Sequence, residues 1–330
     1  MLAVVGPTAA GKSALAIKIA QELGGEISNC DSVQVYRGFD IGTGKLSADE
    51  HQGIPHHLLD IVEPDEVFTA GDYRREALRV LGEVRNRRAL PIIVGGTGLY
   101  LRALLLGLFE GPQRSPALRE RLHALAGRWG RPALHRLLRR LDPKAAGRIH
   151  ENDAPKMIRA IEVCLLAARS LSQLQESGRA GLEGFRVVKL GLCPERKQLA
   201  LRINSRVERM FATGLLDETR ALIARAEPSK SADLRPLGAL GYRQACAALR
   251  GELGREDAVR ETQTATRQYA KRQMTWFRAE KDITWFEGFG DDPAVERRVL
   301  DWLARVLPAT APEGRATHES ASHFARGDQA

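Results

Sequence analysis

An α/β fold, with a parallel sheet core, an inserted helical domain and long C-terminal helices, is what three observations in this 330-residue sequence predict. First, the apolar run Leu2–Val5 leads into Gly6-Pro7-Thr8-Ala9-Ala10-Gly11-Lys12-Ser13, and Leu15, Ile19 and Leu23 then recur at helical spacing. A strand, a phosphate-cradling loop and a helix in this order open a P-loop NTPase-like core. Second, short apolar runs and helical patterns alternate over the first 110 residues, as parallel strands joined by crossover helices require. Third, from about residue 112 strand signals give way to Arg- and Leu-rich helical segments, and a strand pattern returns only at residues 186–192. The expected organisation is residues 1–111 and 181–308 as the α/β catalytic core with its C-terminal helices, and residues 112–180 as a helical insertion. Residues 309–330 lack periodicity and are expected to be a disordered tail.

The elements follow in order. Gly24-Gly25 stops the first helix, and residues 27–30 read as a second strand ending at Asp31. Thr69 and Asp72 form a capping-box pattern ahead of a stripe of Tyr73, Ala77, Val80, Leu81 and Val84 that stops before Pro91. Ile92-Ile93-Val94 is a buried-strand run leading into Gly95-Gly96-Thr97-Gly98. Parallel strands place their C-terminal loops on one edge, so Asp31 and Thr97 are expected beside the phosphate loop. In the insertion, Ser115-Pro116 is an N-cap with a first-turn proline, and Met157, Ile161, Cys164, Leu165 and Ala168 form a helical stripe behind Asn152 and Asp153. Long helices are expected over roughly residues 194–213 and 257–281.

Lys and Arg outnumber Asp and Glu by 50 to 41, for a formal net charge of +9. That balance favours a polyanionic partner such as RNA, or reflects a merely cationic surface. No apolar run reaches the roughly 18 residues of a membrane span, and the N-terminus enters the first strand without a signal-peptide pattern. A cytoplasmic protein without a membrane partner is expected. Cys30, Cys164, Cys193 and Cys246 show no C-x-x-C spacing, which argues against a zinc site or a disulfide framework. No coiled-coil seam is evident, and a monomer is expected.

The phosphate loop calls for a ligand with a diphosphate or longer. Its backbone N–H groups face phosphate oxygens, Lys12 adds a point charge, and Ser13 offers a hydroxyl suited to Mg²⁺. Motor and switch ATPases hold magnesium with an Asp at a strand end, whereas residues 92–94 run into Gly-Gly-Thr-Gly. The carboxylate at the site is instead Asp31, in Asp31-Ser32-Val33-Gln34-Val35-Tyr36. It is placed to accept a proton from a nucleophile that attacks a phosphate-bound group, or else to cap the following turn. After Pro194, Leu199, Ile203, Val207 and Met210 take one helix face and leave Arg202, Arg206 and Arg209 on another, a solvated or an anion-binding stripe. Farther on, Arg267, Lys271 and Arg278 accompany Tyr269 and Trp276; the cations can follow phosphates, while the aromatics either stack a base or belong to the core. His56-His57 lacks a third ligand at metal spacing and carries no metal reading.

Taken in sequence, these segments resemble a known family. GPTAAGKS, DSVQVY, DIGTGK (residues 40–45), IPHHLLDI (54–61), GGTGLY (95–100), NDAPKMIRAIE (152–162), LGYR (240–243) and RQYAKRQMTWFR (267–278) are similar to the ordered motifs of bacterial tRNA dimethylallyltransferases, the MiaA family. The resemblance covers about residues 3–285. It implies a prenyltransferase that moves the dimethylallyl group of dimethylallyl diphosphate to N6 of the adenosine at tRNA position 37, next to the anticodon. It further implies that Gly6 to Ser13 hold the diphosphate with Mg²⁺ near Ser13, that Asp31 is the general base with Thr97 assisting, and that Arg206 reaches the diphosphate. Contact with the tRNA anticodon stem-loop is implied for Asp31, Ser32, Val33, Gln34 and Thr97; for Pro155, Lys156, Met157, Ile158 and Arg159; for Gly238, Ala239, Leu240, Gly241, Tyr242 and Arg243; and for Lys271, Arg272, Gln273, Met274, Thr275, Trp276, Phe277 and Arg278. The His56-His57 segment is implied to be a structural turn. Lys156 stands where the family commonly has arginine, which removes a bidentate contact but not a phosphate contact. Three other readings stay open: a P-loop small-molecule kinase in which Asp31 activates a hydroxyl, a prenyltransferase acting on free adenine nucleotides, which would not need the basic helices or the insertion, and a non-catalytic RNA-binding module built on the basic helices.

Overall fold

The computed structural model describes residues 1–307 except 110, 177, 179 and 226–233. Among these residues, strands β1 Leu2–Val5, β2 Gly25–Asn29, β3 His56–His57, β4 Leu90–Val94, β5 Val188–Leu192 and β6 Ile283–Phe286 form one parallel sheet in the order β3-β2-β4-β1-β5-β6. The chain steps from β1 to one side for β2, β3 and β4, then to the other for β5 and β6. The C-terminal end of β1, where the phosphate loop begins, is therefore the switch point at which α/β sheets open a crevice.

Alternation along β1 builds two layers. Leu2 and Val4 join a cluster with Leu15, Ile19, Ile92, Leu190 and Val299, so α1 (Lys12–Leu23) and α13 (Pro293–Val306) cover one face. Ala3 and Val5 face Tyr73, Leu81, Ile93 and Leu104, so α2 (Ala70–Asn86) and α3 (Gly98–Leu106) cover the other. The Thr69–Asp72 capping box is present, and all five residues of the stripe behind it are buried. Leu23 departs from the expected stripe: at 38% exposure it lies in the last turn of α1, beyond the sheet that its predecessors cover. Strands β2 and β5 each start within two residues of the expected positions.

Between α3 and β5 come α4 (Pro116–Trp129), α5 (Arg131–Leu141), α6 (Pro143–Arg148), α7 (Ala154–Ala167) and α8 (Leu171–Glu176). They surround a cluster of their own that includes Leu122, Leu134, Leu138, Met157 and Ile161. Fully buried Glu162 of α7 accepts both ends of the Arg119 guanidinium, Arg159, and the backbone N–H of Ser115, which ties α7 to the start of α4. The stripe on α7 is shorter than its sequence pattern: Leu165 is 48% exposed, and Ala168 is the left-handed cap that ends the helix.

Helices α9 (Arg196–Ala212), α10 (Leu215–Arg225), α11 (Tyr242–Leu249) and α12 (Arg255–Arg278) form a further layer with residues 33–41 around Phe39, Ile203, Val207, Phe211 and Tyr242. The 24-residue α12 runs from this layer back to the sheet, where Phe277 enters the same cluster as α2 and α3. No described helix is long and apolar enough to cross a membrane. The expected tail at residues 309–330 lies outside the described residues.

Candidate active site

The loop between β1 and α1 is fixed from several directions. Lys12 Nζ donates to the Pro7 carbonyl at 2.8 Å, folding its ammonium back over the loop. From α12, Gln273 accepts the Thr8 N–H at 2.8 Å and donates to the Gly96 carbonyl at 3.0 Å, joining the phosphate loop to the loop after β4. Burial, followed by the nearby Arg206 guanidinium, pulls the Lys12 ammonium down to a pKa of about 8.

Asp31 and Thr97 arrive together because β2 and β4 are neighbours in register, with Asn29 opposite Val94. Beyond the strands the two chains stay paired, with Cys30 N donating to Val94 O at 2.7 Å and Thr97 N to Cys30 O at 3.1 Å. Gly95 permits this approach, since a Cβ there would lie 2.1 Å from the Cys30 carbonyl oxygen. Thr97 Oγ1 accepts the Ser32 N–H at 3.1 Å. Asp31 Oδ1 accepts from Val33 N at 2.9 Å and Gln34 N at 3.3 Å, so Asp31 does cap the turn. Both of these bonds use Oδ1, and capping is compatible with proton acceptance at Oδ2.

Arg206 reaches in from α9, donating to Thr8 Oγ1 at 3.4 Å and to the Thr43 carbonyl at 2.9 Å. Two cavities meet at these groups. The larger, about 570 Å³, is floored by residues 8–14 and carries Lys12, Ser13, Arg202, Arg206 and Arg209. The smaller, about 270 Å³, is mostly apolar and is lined by Val33, Ile203, Val207, Met210 and residues 238–241. Thr8, Ala9, Asp31, Thr43, Arg206 and Tyr269 belong to both. The arrangement sets a cationic cavity, the Asp31 carboxylate and an apolar recess side by side.

A family model described as IPP transferase matches residues 34–280. The chain belongs to that family. It is 50% identical over 307 residues to the tRNA dimethylallyltransferase of Solibacter usitatus, covering 93% of this chain and 99% of that one. It is 52% identical over 295 residues to that of Koribacter versatilis, covering 89% and 95%. Among solved structures, it is similar to a eukaryotic dimethylallyltransferase acting on tRNA, with a TM-score of 0.77 and 26% identity over 92% of this chain and 79% of that one. It is also similar to the full-length tRNA isopentenylpyrophosphate transferase of Bacillus halodurans, with a TM-score of 0.66 and 37% identity over 92% and 95%.

The segments that resemble the contact series of tRNA dimethylallyltransferases divide into surface and interior. Pro155 and Lys156 are exposed, whereas Met157 and Ile158 lie inside the helical cluster and Arg159 is bonded to Glu162 and the Pro112 carbonyl. Gly238 to Gly241 line the smaller cavity and Arg243 is exposed, but Tyr242 is fully buried and donates to Glu218 at 2.6 Å. On α12, Lys271, Arg272, Thr275 and Arg278 face solvent and Met274 is half-buried, while Gln273 braces the phosphate loop and Phe277 sits in the core. Met157, Ile158, Tyr242, Gln273 and Phe277 are buried, so in these segments it is their exposed neighbours that present side chains to solvent. Trp276 packs with the core beneath the Arg102 guanidinium, 4.4 Å from its ring, so the base-stacking option falls to Tyr269, which lines both cavities. Ser32 and Val33 border the smaller cavity and Gln34 the larger, where its amide donates to Thr43 O at 3.2 Å.

Two other expectations change. His56-His57 is the edge strand β3 rather than a turn; His57 meets Glu26 at 2.7 Å, and His56 lines the larger cavity. Arg202 is not merely solvated, because it forms a bidentate pair with Asp291, a residue that no sequence motif singled out. Among the described residues, no group of three or more His, Cys, Asp or Glu could hold a metal ion.

Proposed function

We propose that this enzyme transfers the dimethylallyl group of dimethylallyl diphosphate to N6 of an adenosine in tRNA, at position 37 beside the anticodon. The observation that carries this reading is the meeting of a cationic, phosphate-loop cavity with an apolar one at the Asp31 carboxylate. The donor diphosphate occupies the first, against the loop N–H groups, Lys12 and Arg206. The adenine is extruded from the anticodon loop into the second, beside Tyr269, as enzymes that modify a base require. N6 then attacks C1 of the dimethylallyl group, the C1–O bond breaks, diphosphate departs, and Asp31 takes the proton from N6. Lys12 and Arg206 stabilise charge as it develops on the leaving group.

Ser13, whose side chain lines the larger cavity, is an oxygen donor of the kind Mg²⁺ takes and would hold the ion there together with a phosphate substrate. When bound, Mg²⁺ would further neutralise the leaving group. Exposed Lys156, Arg243, Lys271, Arg272 and Arg278 supply cations for the anticodon stem-loop. The helical insertion, residues 112–180, acts as a clamp on that arm while the core performs the chemistry. We infer a monomer working in the cytoplasm.

Incubation with dimethylallyl diphosphate, Mg²⁺ and total tRNA, followed by nucleoside mass analysis, should yield N6-isopentenyladenosine. Transfer of labelled phosphate from ATP to a small molecule, with no prenylated nucleoside, would replace this reading with the kinase one.

The lowered Lys12 pKa gives a signed expectation. The ammonium is the form that binds an anion, and its population in the unliganded protein falls as pH rises through about 8. Measured as the ratio of parent to Lys12→Met affinity, which cancels pyrophosphate's own titration, the Lys12 contribution should be constant below that point and decline above it. The Lys12→Met variant should bind weakly without the inflection, and an identical inflection in that variant would assign the titration elsewhere.

A further inference from the structure

We propose that Asp291 is a positioning residue for the donor half of the active site, holding Arg202 from a loop that also grips the phosphate loop, so that Lys12 and Arg206 keep their separation across the larger cavity. The inference rests on the reading of that cavity as the diphosphate site. Asp291 lies beyond residues 34–280, the part that the family model describes, in the loop between β6 and α13. That loop is mounted firmly. Asp292 caps α13 through the Ala294 N–H at 2.8 Å, Arg298 donates to the Glu287 carbonyl at 2.6 Å, and Val295, Val299 and Leu303 anchor α13 in the α1 cluster.

From this mount the loop grips two elements. On one side, Gly290 N donates to the Ala10 carbonyl at 2.8 Å, inside the phosphate loop. A Cβ on Gly11 would lie 2.7 Å from Asp291 Oδ1 and 2.8 Å from Gly290 N, and Gly11 itself has φ +82°, so glycine is required there twice over. On the other side, the Asp291 carboxylate takes both ends of the Arg202 guanidinium, NH1 to Oδ1 at 2.7 Å and NH2 to Oδ2, and the Phe289 ring lies 4.7 Å from Arg202 Cζ. The fork and the ring together fix the guanidinium in orientation. Arg206 follows Arg202 by one turn of α9. The contacts thus run from the phosphate loop through the Gly290 backbone to Asp291, Arg202, α9 and Arg206, around the cavity wall.

Electrostatics points the same way. Burial comes first in lowering the Arg206 pKa; the Asp31 charge opposes the shift, and the neighbouring charges of Arg202 and Arg209 add to it. A carboxylate on Arg202 offsets one of these like charges without itself entering the anion seat. The pair is about 39% exposed on both sides, so its contribution to global stability is small and its effect belongs at the site.

The test compares Asp291→Ala, Asp291→Glu and Arg202→Ala with the parent enzyme, using inorganic pyrophosphate as the probe. Pyrophosphate affinity should fall about tenfold in Asp291→Ala and Arg202→Ala. The donor KM should rise in parallel, the tRNA KM and Tm should hold, and Asp291→Glu should recover most of the loss. Unchanged pyrophosphate affinity in Asp291→Ala would overturn the proposal. Tighter binding would also overturn it, since the carboxylate would then be holding Arg202 away from the anion. A joint rise of both KM values with a lower Tm would reduce Asp291 to a structural role and overturn it as well. A parent enzyme that binds no pyrophosphate would defeat the reading of the cavity itself, which is a separate failure.

Discussion

Asp31→Asn should slow single-turnover prenyl transfer by about 10²–10⁴-fold, the range for loss of a general base, while tRNA and pyrophosphate affinities stay near those of the parent. The substitution is chosen for what it preserves. Asp31 Oδ1 caps the turn through Val33 N and Gln34 N, and an asparagine oxygen can accept the same two bonds. What is lost is the capacity to take a proton, so the fold and the rims of both cavities are retained. Asp31→Ala would remove cap and base together and could not separate them. Near-parental single-turnover rates in Asp31→Asn would leave Asp31 with the capping role alone.

Arg206→Ala should lower kcat by about 10²–10³-fold, the cost of removing one donor from a developing anion in a sheltered site. Arg206 is held by Thr8 and the Thr43 carbonyl, so its guanidinium is oriented before substrate arrives. Arg206→Lys keeps a charge but not the fork and should fall between alanine and the parent. Nucleoside quantification under saturating tRNA measures the effect directly. Full activity in Arg206→Ala would leave Lys12 and the loop N–H groups as the sole stabilisers of the leaving group.

The parts of this site that were legible in the sequence are those set by short-range geometry. Gly6 to Ser13 follow a strand and open a helix, and this local frame is enough to specify the strand–loop–helix of a phosphate loop. Asp31 and Thr97 were legible because parallel strands align their C-terminal ends. What remained hidden depends on distant partners: Gln273 meets Thr8 across 265 positions, and Arg202 meets Asp291 across 89. No period or motif encodes such pairs. The same limit explains Trp276, Met157 and Ile158, whose motif membership says that a segment matters but not which side chains face inward. Leu23 and Leu165 kept their helical phase yet lie exposed, because a stripe gives the direction of a side chain and not the extent of the surface it meets.

The Gln273 side chain gives α12 a second consequence. The helix that offers Lys271 and Arg272 to solvent also holds the Thr8 N–H and the Gly96 carbonyl, with a single amide serving both loops. A movement of α12 under RNA would reach the phosphate loop directly through the Gln273 bond to Thr8. Were such a movement to favour the donor by some factor, bound donor would favour RNA by the same factor, because the two free energies close one cycle. The two substrates would then report on each other before either reacts, and the order in which they arrive would leave the final ternary complex unchanged.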